Sequence, residues 1–408
     1  MKNNLKKNFI LNSIGSTIYS FTSLFFLIIV TRINGINEAG LFSFAFSNAC
    51  FLQVIGIYVS RTYQVTEKDK KTFDSDFIYS KIISCIAMLF VGMSFCLIKG
   101  YGLLKIIVIM LLIFFKALDA FSESIYAIIQ KNDELYKVGI SLILKGVVAT
   151  VVFIVVDILT KNIIFSILSL IVSIILIIIF YDFLVVKKYD FKLKKINVNI
   201  IKKIFVFGFW TFLFSFLTQY LINAPKYAID NYLSNDLQTI YGIISMPATI
   251  MILVTGFIIH PFLLKINDCV DSKKYKKLND IVIKMSLAIL VIDLFGLLLC
   301  YFIGIPILNM MYGIRLEKYL NSLLIIILGS GLFAITLIIS NALIAMRKTM
   351  SQTIIYIIVS IIAFFLTKIL VKNYMIVGAA YSYLTIMLLL LLLYIFLYIY
   401  IIDKEKKR

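Results

Sequence analysis

From Phe9 to Ile402 the chain is built of long apolar runs separated by short polar connections. The runs recur roughly every 34 residues, and each approaches the ~20 residues that an α-helix needs to cross the hydrocarbon core of a bilayer. They predict helices over residues 9–30, 40–60, 77–98, 103–129, 136–157 and 162–186 in the first half of the chain. The second half predicts 204–224, 237–263, 281–303, 319–346, 352–371 and 376–402. The expected fold class is an all-α integral membrane protein of about twelve transmembrane helices. Phe9 to Val30 reads as a permanent first span, being too long for a signal h-region and lacking a small-residue cleavage site.

The density of lysine and arginine alternates from one connection to the next. Connections on the side of the N-terminus carry 29 of the 40 basic residues and the opposite set 9, with Lys116 and Lys145 left inside spans. The positive-inside rule therefore puts both termini in the cytoplasm. The richest connection, with seven lysines between 187 and 203, reads as a basic cytoplasmic linker joining an N-lobe, 1–186, to a C-lobe, 204–408. A weak internal echo agrees with that division: Glu38-Ala39-Gly40-Leu41-Phe42-Ser43 opens span two as Leu237-Gln238-Thr239-Ile240-Tyr241-Gly242 opens span eight.

A composition 62% hydrophobic and 15% charged excludes a string of soluble domains. The net charge of +19 does not point to nucleic acid, because the basic residues lie in the connections of a membrane protein. Five scattered cysteines, Cys50, Cys85, Cys96, Cys269 and Cys300, show no metal-ligand spacing and read as packing residues.

An ionisable side chain at mid-span costs about 2.5 to 3.5 kcal/mol on insertion scales, so it faces a partner or a wet cavity. In span four, Lys116, Asp119, Glu123, Gln130 and Glu134 share one helical face with Ala127. A Lys116–Asp119 pair that only docks helices is the plainer reading, but docking does not need a stripe running the whole span. Span seven repeats the pattern with Ser215, Gln219, Asn223, Lys226 and Asp230 if the helix runs through Pro225, which would bend it. Otherwise Lys226 and Asp230 are solvated loop residues. Span one carries Asn12, Ser13, Ser16, Ser20 and Ser23 on one face, which suits either a cavity wall or a close-packing seam. Lys145 and Asp293 are isolated intramembrane charges, and Glu123 is the expected partner of Lys145. His260, before Pro261, reads as a cap or interfacial residue. There is no Gly-rich phosphate loop, metal-ligand cluster or nucleophile with a usable histidine, so neither an enzyme activity nor a cofactor is expected.

The stretch Asn223-Ala224-Pro225-Lys226-Tyr227-Ala228-Ile229-Asp230, followed by Ile243-Ile244-Ser245-Met246-Pro247-Ala248, resembles motifs of bacterial polysaccharide-unit flippases. These are the Wzx-type members of the multidrug/oligosaccharidyl-lipid/polysaccharide (MOP) exporter superfamily. Three further segments match in order: Thr31-Arg32 to Phe42, Arg61-Thr62-Tyr63-Gln64-Val65, and Lys116-Ala117-Leu118-Asp119-Ala120 to Gln130. The resemblance covers most of the chain. It departs from the family at Ile129, where relatives often carry glycine, and at His260, where arginine is usual.

The resemblance implies two six-helix lobes around a central cavity, alternating access, and a place in the bacterial cytoplasmic membrane. The implied cargo is an undecaprenyl-pyrophosphate-linked oligosaccharide repeat unit for capsule or other surface polysaccharide. Candidates to bind its pyrophosphate are the cations Arg32, Arg61, Lys116, Lys145 and Lys226, and candidates for its sugars are Gln130, Gln219, Asn223 and Tyr227. Asp119, Glu123, Asp230 and Asp293 are candidates for coupling to a proton or sodium gradient. Expected partners are the lipid-linked substrate, membrane lipids, a polysaccharide polymerase and glycosyltransferases. Two rivals share the superfamily: a multidrug or cation antiporter, whose site should hold fewer lysines, and a lipid II flippase, commonly with more helices. A membrane glycosyltransferase or polymerase would show a larger outer loop than any present here.

Overall fold

The computed structural model describes residues 2–67, 69, 71–189, 191, 193–259 and 262–406, with side chains from Lys7 onward except Phe257 and Lys406. His260, expected as a cap, lies outside the described residues. The described residues are almost wholly helical, as hydrocarbon requires: with no water to bond the backbone, each N–H must find a carbonyl in its own helix.

The first half comprises α1 (Lys2–Ile33), α2 (Ile36–Gly56), the short α3 (Arg61–Thr66), α4 (Asp74–Lys99), α5 (Leu103–Lys131) and α6 (Leu135–Thr160). It continues with α7 (Ile163–Ile177), a π-helical turn over Ile178–Asp182, and α8 (Phe183–Lys187). After them come α9 (Val198–Tyr232), α10 (Asn235–Ile244), α11 (Met246–Ile259), α12 (Leu263–Asp271) and α13 (Tyr275–Leu299). The chain ends in α14 (Ile305–Tyr312), α15 (Leu320–Ala345) and α16 (Thr349–Lys406).

Among the described residues, ten helical segments are long and apolar enough to cross a membrane. α5 is as long but carries Lys105, Lys116, Asp119, Glu123 and Lys131, and α16 is two helices meeting at Met375, where φ is 50° and ψ −129°. With α5 counted and α16 divided, the described residues hold the twelve membrane-length helices that the hydropathy pattern predicts.

Several boundaries differ from expectation for local reasons. Span two ends at Gly56, and Ser60 Oγ accepts from the amide of Tyr63 to start α3 as a separate helix. Span seven does not stop at residue 224: α9 runs through Pro225 to Tyr232, because buried packing at Ala224 and Pro225 outweighs one lost helical hydrogen bond. Span eight is broken at Ser245, where α11 starts afresh with Pro247 in its first turn. Span nine is longer than expected, continuing from α13 through a π turn at Cys300–Gly304 into α14.

The chain divides into two compact units, residues 1–212 and 213–408. In the first, α1 lies against α6 over much of its length. A side chain at Gly15 would overlap the backbone of Gly139, and one at Gly139 would overlap the backbone of Leu11, so only glycine permits this approach. Phe26 and Phe153 add a ring contact at 4.8 Å between the same two helices. In the second unit, α15 packs on both halves of α16 and on α13. Its core includes Tyr356 edge-on to Phe214 at 5.0 Å and to Tyr394 at 5.9 Å. Ser340 Oγ donates at 2.6 Å to the buried Gln352 Oε1, which also accepts from Tyr394 at 3.2 Å.

Candidate functional site

α5 is the spine of the site. The Lys116, Asp119 and Glu123 part of its polar stripe lines a cavity of about 260 Å³ between α1, α2, α5 and α6. Lys116, Asp119 and Glu123 open onto it from α5, Lys145 from α6, and Tyr19, Ser20 and Ser23 from α1. The polar face of α1 is thus a cavity wall at Ser20 and Ser23, while the tight seam on α6 is made one to two turns earlier by Gly15.

Every cation at this cavity stands beside a carboxylate. Lys116 Nζ donates at 3.1 Å to Asp119 Oδ2, and the Tyr19 hydroxyl donates to Asp119 Oδ1 in a short bond. The same ammonium lies 4.9 Å from the Phe115 ring centre and 5.2 Å from that of Phe46, so aromatic faces share its charge. Arg61 Nε donates at 2.8 Å to Gln130 Oε1, and its guanidinium is 3.9 Å from Glu123 Oε2. Arg61, Glu123 and Gln130 come from two separate motifs, and the packing of α3 on α5 brings them to one place.

Lys145 corrects an expectation. Its partner is Asp182, at 2.9 Å, not Glu123. Nζ makes aligned donations to Ser122 Oγ at 2.8 Å and Tyr126 Oη at 2.7 Å, so the contact with Asp182 is one of charge more than of a directed hydrogen bond. The Tyr126 hydroxyl, which accepts from Lys145, is also hydrogen-bonded to the Ser141 hydroxyl at 2.9 Å. Its ring also lies 5.8 Å from the Arg61 guanidinium and 4.9 Å from Nζ of Lys145, which ties the two cations to one aromatic face. Asp182 was legible as an acid inside span six and was not singled out. Tyr126 was legible too, three residues beyond Glu123 on the same stripe.

Lys81, which the sequence did not single out, is fully buried on α4 and donates to the carbonyl of Val59 at 2.6 Å. Glu134 leaves the expected stripe, since α5 ends at Lys131; it precedes α6, where Lys137 and Tyr189 donate to it. Burial pushes the Glu134 carboxyl up, and the bonds from Lys137 and Tyr189 outweigh that and hold it below the usual carboxylate range.

The remaining candidates lie elsewhere. Arg32 is exposed in the last turn of α1, beyond the cavity. Gln219, Asn223, Lys226, Tyr227 and Asp230 lie on α9 within the second unit. Asn223 is buried and donates to the carbonyl of Gln219 at 2.9 Å, and the rings of Tyr220 and Tyr227 stack at 6.5 Å. Lys226 and Asp230 are half-buried helical residues, not loop residues. Asp293 is buried on α13 against Gly331 of α15, where any side chain would overlap its carboxylate, and it interacts electrostatically with Tyr383 of α16.

The twelve membrane-length helices among the described residues define a multi-pass membrane protein, and its fold is that of solved MOP-superfamily structures. The inward-facing form of a multidrug resistance MATE transporter of that superfamily superposes with a TM-score of 0.77 at 12% identity, over 97% of this chain and 99% of that one. The lipid II flippase MurJ, in an inward closed conformation, matches with a TM-score of 0.68 at 16% identity, over 93% and 87%. The chain is also 23% identical over 380 residues, 92% of its length and 94% of the relative's, to the capsular polysaccharide biosynthesis protein CapF of Staphylococcus aureus. No protein-family model matches the chain. These neighbours are transporters and flippases, not enzymes.

Proposed function

We propose that the protein is a flippase that carries undecaprenyl-pyrophosphate-linked oligosaccharide repeat units across the bacterial cytoplasmic membrane by alternating access. Both termini are cytoplasmic in this reading, and the flipped unit passes to a polymerase for capsule or other surface polysaccharide after glycosyltransferases have built it. The observation that carries the reading is the grouping of Lys116 and Lys145 at one cavity, with Arg61 behind its wall against Glu123. A sugar-pyrophosphate head cannot shed its hydration to cross about 30 Å of hydrocarbon. A cavity walled by cations and hydroxyls replaces that hydration, while the prenyl tail stays in lipid. The likeness to CapF over most of both chains supports the polysaccharide assignment.

A cationic-drug antiporter would gain nothing from two lysines lining its cavity, which sets that rival lower. The lipid II flippase reading shares the pyrophosphate chemistry and is supported by the likeness to MurJ. Asp119, Glu123, Asp230 and Asp293 are the groups through which a proton or sodium gradient would drive the cycle.

The test is loss of the protein and its Lys116→Ala variant in the producing cell. Lipid-linked oligosaccharide should accumulate on the cytoplasmic leaflet, and surface polysaccharide should disappear while the variant's abundance stays near normal. Full export by the variant would remove Lys116 from the substrate path.

A further inference from the structure

The first unit holds a second cavity, of about 300 Å³, whose described lining carries no charged side chain. It lies between the α2–α3 connection, α3 and the first part of α9, and it shares no lining residue with the charged cavity.

Local sequence builds its walls. α2 stops at Gly56 and Ser60 caps α3, which leaves Tyr58 in the connection between them. The Tyr58 hydroxyl donates to the Phe205 carbonyl at 2.9 Å, and its ring stacks on that of Phe212 at 4.4 Å. Gly208 lets α9 come this close, since a Cβ there would sit 3.2 Å from the Tyr58 ring. Val59, Phe77 and Ile204 form a small buried core between the connection, α4 and α9. Lys203 and Asp69 add an ion pair at 3.0 Å between α9 and the segment after α3. The walls are therefore set before a guest arrives.

α3 has two working faces. Arg61 and Gln64 turn to α5, where they donate to Gln130 Oε1 and the Ser124 carbonyl. Thr62, Tyr63 and Thr66 turn instead to the second cavity, opposite Phe207 and Thr211 of α9.

This lining selects among guests. Without a cation it offers little to a phosphate or carboxylate, and without an acid it offers little to an ammonium. The hydroxyls of Ser60, Thr62, Thr66 and Thr211 would gain no partner from an acyl chain. Among them stand the rings of Tyr58, Tyr63 and Phe207, the last two within 18° of parallel at 6.3 Å. A sugar ring answers both halves of this surface. Its C–H face suits the negative face of an aromatic ring, and its hydroxyls need partners that can donate and accept. Both capacities remain here. Ser60 Oγ accepts from the Tyr63 amide and keeps its own proton to donate, while Thr66 Oγ1 donates to the Thr62 carbonyl and keeps a lone pair.

We propose that this uncharged pocket binds a sugar ring of the cargo at the cytoplasmic end of the first unit. The assignment rests on the oligosaccharide-flippase reading and adds a place for the saccharide that Gln130, Gln219, Asn223 and Tyr227 do not line. Recognition of sugar and of phosphate is thereby divided between two sites of different chemistry.

The experiment is saturation-transfer difference NMR of the full chain in lipid nanodiscs, with the free repeat-unit oligosaccharide released from the producing cell's surface polysaccharide. Saturation should pass to the C–H protons of a sugar ring. Affinity should change less than about twofold between roughly 0.05 and 0.5 M salt, because no charge in the pocket contributes. Phe207→Leu, which keeps an apolar side chain and loses the ring, should weaken binding about fivefold or more, and Phe207→Tyr should restore it. Phe207 is 72% exposed, so neither change disturbs a core. In a second arm the intact lipid-linked unit is titrated against the wild type and Lys116→Gln, which tests the flippase reading by itself.

No saturation transfer, binding that salt abolishes, or binding that Phe207→Leu leaves unweakened overturns the pocket assignment. If the lipid-linked unit is then still bound and weakened by Lys116→Gln, the flippase reading stands without it. A lipid-linked unit that does not bind, or that binds without regard to Lys116, overturns that reading and the pocket assignment with it. Should Phe207→Leu fail to fold, Thr211→Val, exposed on the same helix, replaces it under the same criteria.

Discussion

The ammonium of Lys145 and the carboxylate of Asp182 meet at 2.9 Å with both side chains closed to solvent. One comes from α6 and the other from the π turn that follows α7, so the pair locks two helices of the first unit together. Removing one partner of such a pair strands the other charge, at a cost of roughly 3 to 5 kcal/mol, whereas replacing both with apolar groups is close to neutral. Asp182→Ala should therefore lower the melting temperature in detergent sharply, and Lys145→Met with Asp182→Leu should recover most of it. Equal melting of the single and double variants would show that the charge pair is not the source of the effect.

At the crossing of α1 and α6, Gly139 touches the backbone of Leu11. Gly139→Leu should force the helices apart, an overpacking cost on the order of 3 kcal/mol or more. Size-exclusion chromatography of a fluorescent fusion would report it as loss of the monodisperse peak, with Gly102→Ala, whose added carbon meets open space, as the unaffected control.

Met375 holds φ 50° and ψ −129°, a region open to glycine and strained for any residue with a Cβ. Met375→Gly should raise stability by about 1 kcal/mol, read as a higher melting temperature without change in export. A lower melting temperature would place the Met375 side chain ahead of its backbone in importance.

Arg61 binds Gln130 through Nε and faces Glu123 through a terminal nitrogen, a forked use that lysine cannot copy. Arg61→Lys should cut surface polysaccharide severalfold at constant protein abundance. Quantitative capsule staining beside an immunoblot would measure both, and unchanged polysaccharide would count against a role for the guanidinium geometry.

Glu134 titrates below the ordinary carboxylate value because the bonds from Lys137 and Tyr189 outweigh its desolvation. A depressed folded value means that its stabilising contribution is complete above the unfolded-state value, about 4.3 for glutamate, and is lost as pH falls through the lower folded value. Glu134→Gln should be less stable than the wild type at neutral pH, and the gap should close on the acid side of about pH 4. Melting curves across that range give the comparison.

The number of membrane helices and the stripe on α5 were written in the order of residues, because a bilayer punishes every local violation: an exposed backbone polar group or an unpaired charge is costly wherever it occurs. Hydropathy alone therefore located twelve helices, and charges out of place marked Lys116, Asp119, Glu123 and Lys145 as inward facing. Which charge met which was decided only by tertiary packing. Glu123 was one plausible partner for Lys145, but the π turn at Ile178–Asp182 carries Asp182 to Lys145, and Glu123 is left to Arg61. Pairing between helices depends on their rotation and depth, set by seams such as Gly15 on Gly139, and a one-dimensional pattern holds no such coordinate.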